Sequence, residues 1–536
     1  MYRDLTQLEN RPTGEIEVDS IWPLEEQIGE NKRSIIELKR TQNSLLNVSR
    51  LPPEILGDVF GWNAIRKETF DLDPFEKKPY NFLLVCHHWF EVASTTPELW
   101  GFWGNNLQDW AKRHLRYPTA PLDLVLDGVR FPEDTLDDTL RNALRDRAAR
   151  DTIRQIHLVA EGSELLSSII SPLTANCEGI QSSSVESVII QDKNSDPPVD
   201  ISDFFTHYRF PQLQRLELSS CAISSWDIMT SRTSVLTVLN LCFDEPSPAP
   251  TTKQMLGVLA SNPTLQKIQL AGCTVPDDGG DGSHFRVPLH HLKILDLTGD
   301  FRNVVGLLHR LDHAESTDLT LALWECAVGD ISPLLGPYLR DYFRRRGRAY
   351  SGLGLCVSWH NNDISFRAGD GGGIRPSALG SEQMASFMAI MIYLNTPPSK
   401  ELLEKAFLDF IADTPREKIV HFSAHRNPGV IADVYTQLPN LRTLHLDTIR
   451  LSAALPKPSP GEEEGILPSL RHVVFDRMLA DGGNWKPLAT FLSHRASPGN
   501  RLDSLTIVRS SYMRPELAEG IRSVVRNFTI DRVGRK

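Results

Sequence analysis

One pattern recurs along most of this 536-residue chain and limits what it can fold into. An apolar residue is followed by two variable positions, a second apolar residue, one variable position and a third apolar residue. TIRQIHL supplies Ile153, Ile156 and Leu158, and SVESVII supplies Val185, Val188 and Ile190. PQLQRLEL gives Leu213, Leu216 and Leu218, and VLTVLNL gives Leu236, Leu239 and Leu241. PTLQKIQL gives Leu265, Ile268 and Leu270, and HLKILDL gives Leu292, Leu295 and Leu297. Late in the chain come Leu441, Leu444 and Leu446, then Leu470, Val473 and Phe475, then Leu502, Leu505 and Ile507. Within each run, neighbouring occurrences start 23 to 32 residues apart. A period of that size marks a stacked-repeat architecture.

In each unit the alternating pair reads as a short strand with one face inward. The upstream apolar residue turns the chain into that strand. Thr252–Ala260 and Phe301–Leu311 read as helices that close a repeat. Pro211, Pro263, Pro439 and Pro468, two residues before the upstream leucine of their units, mark where the return segment must stop. One such unit cannot bury its apolar side, whereas a stack makes a continuous core. The alternative is an ordinary α/β domain whose leucine-rich strands coincide, and nine occurrences weigh against it. Between the two runs, TDLTLALWECAV and GLCVSWHNNDISFRAG read as alternating strands, the second as a hairpin-like extension. Ser381–Asn395 and Ser399–Ile411 read as helices, and Lys418–Phe422 as a strand. No asparagine ladder follows the strands.

Ahead of the repeats, RLPPEILGDVF and NFLLVCHHWFEVASTTPELWGFWG describe two short helices and an aromatic tail. Pro52-Pro53 suits a first helical turn, and Glu54 suits the positive end of the helix dipole. Ile55, Leu56, Val59 and Phe60 form one apolar face, and Leu84, Val85, Trp89 and Val92 repeat the arrangement. A segment of ~50 residues hides that much apolar surface poorly. It is either a helical cap on the repeats or a module that buries its excess in a partner. Further upstream, residues 1–20 read as a tail and 21–49 as a helical lead-in. Leu24, Ile28, Ile35, Leu38 and Leu45 make its seam, with Asn31 and Gln42 at two seam positions. It suits a coiled coil with a second copy or packing back on the next helices. A seam of about three heptads, twice interrupted, favours packing back.

The ordered set LPPEIL–VF, LLVCHHW and ELW resembles an F-box. In that family these positions contact a Skp-family adaptor. The resemblance assigns adaptor binding to Leu51, Pro52, Ile55, Leu56, Val59, Phe60, Leu84, Val85, Cys86, Trp89, Leu99 and Trp100. The loop 61–81 is longer than usual for the family, and long insertions carry little entropic cost. The array resembles the degenerate leucine-rich repeats of F-box proteins, and the whole order resembles an expanded fungal F-box family. The implied fold is an α/β solenoid: an N-terminal helix and an all-helical F-box (50–104), then an irregular array with parallel strands (105–536). The implied function is a non-catalytic substrate receptor of a Skp-cullin-F-box ubiquitin ligase, with a target protein held by the repeats and no cofactor. The competing expectation is a scaffold repeat protein whose first segment is only a cap.

Composition limits other readings. A formal net charge of −11 offers no global case for nucleic acid. No apolar run approaches the ~18 residues of a membrane span, and the N-terminus lacks a signal core, so a cytosolic or nuclear location is expected. Seven cysteines without a CxxC pair predict reduced thiols. GDGGGIRP lacks the Lys-Ser/Thr of a phosphate loop, and DDGGDG lacks the spacing of a calcium loop. His421 and His425 are four apart, but on a strand end and without an HExxH helix. The basic run Arg340–Arg348 suits an acidic ligand or, more simply, a solvated helix face.

Overall fold

The computed structural model describes residues 22–46, 50–65, 85–96, 102–103, 122–127 and most of 152–531, where the longest breaks are 171–183, 273–285, 371–385, 395–404 and 456–466. The tail 1–20, the insert from 66, Leu84, Leu99, Trp100, the Gly279–Gly282 loop and the 456–465 loop lie outside the described residues. The chain divides into two compact units, Met1–Asp123 and Leu124–Lys536. Among the described residues, no helix is long and apolar enough to cross a membrane.

The first unit holds α1 (Trp22–Ser44), α2 (Pro53–Ile65), α3 (His87–Thr95) and the two-residue strand β1 (Phe102–Trp103). Pro53 opens α2, where its missing N–H has no partner to lose. The helix runs on through Ile65, into the segment that the sequence presents as loop. Leu56, Phe60, Val92 and Ala93 form the core between α2 and α3, with Leu51 and Trp89 packed against it. The Phe60 and Trp89 rings meet at 5.1 Å. Gly57 admits this approach, because a Cβ there would lie 3.0 Å from the Thr96 hydroxyl.

The second unit is mixed α/β around a large, mostly parallel sheet. Strand β2 (Leu122–Asp127) falls at the boundary. Then come β3 (Ile153–Glu161), β4 (Ser187–Lys193), β5 (Val199–Asp200), α4 (Ser202–His207), β6 (Arg215–Ser219), β7 (Cys221–Ala222) and β8 (Val238–Cys242). They are followed by α5 (Thr252–Ala260), β9 (Lys267–Ala271), β10 (Val287–Leu289), β11 (Ile294–Asp300), α6 (Phe301–His309), β12 (Leu311–His313) and β13 (Asp318–Cys326). A helix opens at Val328–Asp330, widens through a π-helical Ile331–Leu335 and continues as α7 (Gly336–Arg346). Pro333 and Pro337 each remove an i→i−4 bond there, which accounts for the irregular turn. Strands β14 (Leu353–His360), β15 (Asp363–Asp370), β16 (Ser386–Leu394), β17 (Ile419–His425), β18 (Thr443–Asp447) and β19 (His472–Asp476) come next. Helix α8 (Lys486–His494), β20 (Ser504–Val508), α9 (Pro515–Val524) and β21 (Asn527–Asp531) complete the unit.

The repeated apolar pair stacks in register. Ile156 faces Val188, then Leu216, Leu239, Ile268, Leu295 and Leu319 across successive parallel strands. A second row joins Leu158, Ile190, Leu218, Leu241, Leu270, Leu297 and Leu321. Phe422, Leu444, Val473 and Leu505 continue the arrangement from β17 to β20. Every residue of the repeated triplets named above is buried, none more than 3% exposed.

The turns between units have their own chemistry. Pro211, Pro263, Pro439 and Pro468 each occupy the second position of a tight turn, closed by the N–H of Leu213, Leu265, Leu441 and Leu470 at 3.0–3.3 Å. Hydroxyls of Ser184, Thr264 and Thr317 donate to the carbonyls of Ile153, Leu236 and Leu292, the first apolar residue of the preceding unit. These bonds stand where an asparagine ladder is absent. Past the strand ends, Ser220, Gly272, Arg477 and Arg509 adopt left-handed backbone with φ of 49–68°.

The middle departs from the sequence reading. Ser386–Leu394 is the strand β16, not a helix. Its run SFMAIMIYL is apolar at nearly every position, so periodicity alone does not separate the two states. Moreover, β14 and β15 form a hairpin that belongs to the main sheet. The order is β13, β16, β15, β14, β17, with β15 antiparallel to both neighbours. The connection carrying α7 therefore steps over two strand positions, and β15 and β16 fill them. Of the Ser399–Ile411 segment, residues 408–411 are helical, the helix running on through 412, and Phe410 stacks on Phe366 of β15 at 4.0 Å.

Two glycines make opposite predictions. A Cβ on Gly272 would lie 1.8 Å from the Phe243 carbonyl oxygen, and φ there is +68°. Gly306 in α6 has nothing within 4 Å of the same position. Gly272→Ala is expected to destabilise by more than about 2 kcal/mol, and Gly306→Ala to stabilise by about 0.5–1 kcal/mol. Thermal unfolding midpoints of the two variants against the parent check both.

Candidate functional site

Two surfaces carry side chains that the core does not explain. The first is the exposed side of the α2–α3 pair and of the residues just before α3. Ile55, Val59, Val85 and Phe90 are 48, 41, 54 and 49% exposed. Ile55 and Val59 are four residues apart on α2 and share one of its faces. Pro52 is also exposed, while Leu51, Cys86 and Trp89 are half-buried. Of the positions that the F-box resemblance assigns, the helical pair thus leaves Pro52, Ile55, Val59 and Val85 open. It places Leu56 and Phe60 in its own core. Phe90 was not among those positions. Of the exposed large apolar side chains among the described residues, most lie between Ile28 and Phe90.

The second surface is the sheet face opposite the leucine rows, at β17 to β20. His421, Ser423, His445 and Asp447 are buried there. Register places Ser423 opposite His445 and His425 opposite Asp447. The Ser423 hydroxyl lies 2.9 Å from His425 Nε2 and 3.3 Å from His445 Nδ1. His425 Nδ1 lies 3.0 Å from Asp447 Oδ2. Arg477 donates two hydrogen bonds to Asp447, and Arg509 does the same to Asp476. Both arginines occupy the left-handed position just past a strand, so each guanidinium reaches back to the carboxylate of the preceding unit.

Burial disfavours charge on His425, but the bond to Asp447 and the neighbouring Cys356 thiol outweigh it and raise the imidazole to about 9. Burial, with His425 nearby, lowers His421 and His445 to about 4, and His445 adds to the effect on His421. Ser423, His425 and Asp447 thus have the order of a nucleophilic relay, and two observations set them apart from one. A charged His425 donates to Ser423 through Nε2–H and cannot take its proton. Ser423 also sits in mid-strand between paired neighbours, where backbone N–H groups serve the ladders and none is left for an oxyanion. The arrangement is a charged ladder that ties adjacent units together. Aligning the repeats would have revealed it, because His425, Asp447 and Asp476 occupy the same position of successive units.

Other sequence candidates resolve differently. Among the described residues, no group of three His, Cys, Asp or Glu could hold a metal ion. The basic run is only partly a solvated face. Arg346 is buried and donates to the carbonyls of Glu315 and Thr317 and to Asp318 at 2.7–3.1 Å. Arg345 reaches the His313 carbonyl at 3.2 Å, and Tyr342 reaches the Thr317 carbonyl at 3.0 Å. These side chains brace the turn before β13. Arg495 does similar work on the carbonyls of Leu467 and Leu470, both at 2.7 Å. The described cysteines Cys86, Cys221, Cys242, Cys326 and Cys356 are free thiols. Burial, with Asp192 near Cys221 and Asp330 near Cys326, pushes those two up to about 12. No protein-family model matches the chain, and no curated protein matches it.

The histidine ladder gives a pH prediction with two limbs. The folded value of His425, about 9, lies above the ordinary 6.5. Its contribution is complete below pH 6.5 and is lost as pH rises through about 9. His421 and His445, lowered to about 4, contribute stability that is present above 6.5 and lost as pH falls through about 4. His425→Gln is expected to flatten the alkaline limb of the unfolding midpoint and to shrink the acid limb without abolishing it, because burial still lowers His421 and His445 when the His425 charge is gone.

Proposed function

We propose that the chain is a non-catalytic receptor subunit of a ubiquitin ligase. In this reading α2 and α3 are an F-box that docks a Skp-family adaptor. The parallel sheet and its return segments are an irregular leucine-rich-repeat solenoid that holds a target protein. The observation that carries the reading is the exposure of the apolar side chains Ile55, Val59, Val85 and Phe90 on and beside a helical pair that already has its own core. Apolar side chains left open on a folded module mark a partner surface. The in-register rows of the second unit suit the solenoid part, because each unit contacts only its neighbours. Function then rests on proximity: a tethered target has a high effective concentration near the ubiquitin carrier.

The scaffold alternative makes the first unit a cap, and a cap buries its apolar face. Deletion of residues 50–103 separates the two readings: a docking module comes off and leaves the repeats folded, whereas loss of a cap unfolds or aggregates them. The test is co-purification of the full chain with a Skp-family adaptor by size exclusion. The parent chain is expected to elute as a one-to-one complex. Burial of one such side chain contributes ~1.5–3 kcal/mol, so Ile55→Asp with Val59→Asp should weaken capture on the order of a hundredfold or more. The circular dichroism of the variant should match the parent, since both side chains are exposed. A folded parent chain that ignores the adaptor would sink the reading.

A further inference from the structure

Helix α1 is open on nearly every side. Ile28, Ile35 and Leu38 are 51, 53 and 70% exposed, and Leu45, one residue past the helix end, is 66% exposed. The expectation that this seam packs back on the following helices is therefore not met. Helices in water draw most of their stability from a packed apolar face, and among the described side chains of this 23-residue helix the large apolar ones are all exposed. We propose that the partner is a second copy of this chain, with the two α1 helices joined as a parallel two-stranded coiled coil.

The residue types select this occupant. In heptad terms the a positions are Ile28, Ile35 and Gln42, and the d positions include Asn31, Leu38 and Leu45. Isoleucine at a with leucine at d is the choice that favours parallel dimers. The charged residues Glu26, Glu30, Arg33, Glu37 and Arg40 lie at c and f, away from the seam. Ile36 lies off the seam as well. The polar layers also fit. In parallel register Asn31 meets Asn31 of the second copy and Gln42 meets Gln42, so each amide pairs with an amide. Parallel flanking pairs set Gln27 against Lys32 and Ser34 against Lys39, with no like charges opposed. The antiparallel register that matches Asn31 with Gln42 would set Lys32 beside Lys39 of the other copy, which is repulsive. Two polar layers in so short a seam make the association reversible and specific in register.

The test is sedimentation of the full chain over a range of concentration. The 60.2 kDa chain is expected to shift toward twice that mass as concentration rises. Ile35→Asp with Leu38→Asp should remain monomeric throughout, with the circular dichroism of the rest of the chain unchanged, because both positions are exposed. Asn31→Leu should tighten the dimer at least about tenfold, the equivalent of ~1.4 kcal/mol. Orientation is read with Gln42→Cys, which under oxidation should cross-link to itself in the parallel arrangement and yield a disulfide dimer absent from the parent. A chain that is monomeric at every concentration overturns the proposal, as does a dimer that survives the double aspartate variant. If the chain is monomeric alone but its α1 becomes protected from proteolysis on binding the adaptor, the occupant is the adaptor and the proposal also fails. Adaptor capture by Ile55 and Val59 is scored separately, so failure of one reading leaves the other standing.

Discussion

The second unit depends on one constraint: two apolar side chains per repeat must line up with the two of the next repeat. Leu295 between Ile268 and Leu319, and Leu297 between Leu270 and Leu321, show the condition met in both directions. A parallel strand paired on both sides satisfies its backbone only if the register holds, and a slip of one residue would turn the leucines to the open face. The turns enforce that register. Proline at the second turn position, the hydroxyl bonds from Ser184, Thr264 and Thr317, and the left-handed residues past the strands each act on one repeat boundary.

The same constraint explains the middle of the array. After β13 the chain enters the sheet beyond two skipped positions, returns through β15 and then β16, and so restores an unbroken set of neighbours. One antiparallel strand is accommodated because β14 and β16 still run parallel to the strands outside them. The buried arginines follow the same logic. Arg346 and Arg495 satisfy turn carbonyls that no strand can reach, and burial lowers Arg495 to about 10, with Arg471 nearby adding to it. Charged groups at the far end of β17 to β20 are likewise paired: His425 and Arg477 with Asp447, Arg509 with Asp476.

The two units differ in what they leave open. In the repeats the apolar residues of the motif are covered by their own neighbours. In the first unit a small core formed by Leu56, Phe60, Val92 and Ala93 is surrounded by apolar side chains that water reaches. A helical pair of this size cannot turn all of them inward, because residues on opposite sides of a short helix cannot share one core. The uncovered side chains on α1, α2 and α3 are thus the natural places for association.

Spacing alone determined a good part of this. The triplets marked the buried rows because burial on one side of a strand imposes a period of two, and Thr252–Ala260 carried a helix with the boundaries that the structure shows. The F-box-like segment showed its excess of apolar residues, though not which of them face out. Other features were invisible in one dimension. Ser386–Leu394 is apolar on both faces, so only its neighbours β13 and β15 decide that it is a strand. His425 and Asp447 lie 22 residues apart and meet only because the repeats stack in register. Arg346 looks like one charge in a solvated run until the preceding turn presents it with carbonyls. Local pattern encodes which side chains must leave water. The partner that each one finds is settled by contacts between distant segments, and those exist only once the chain has folded.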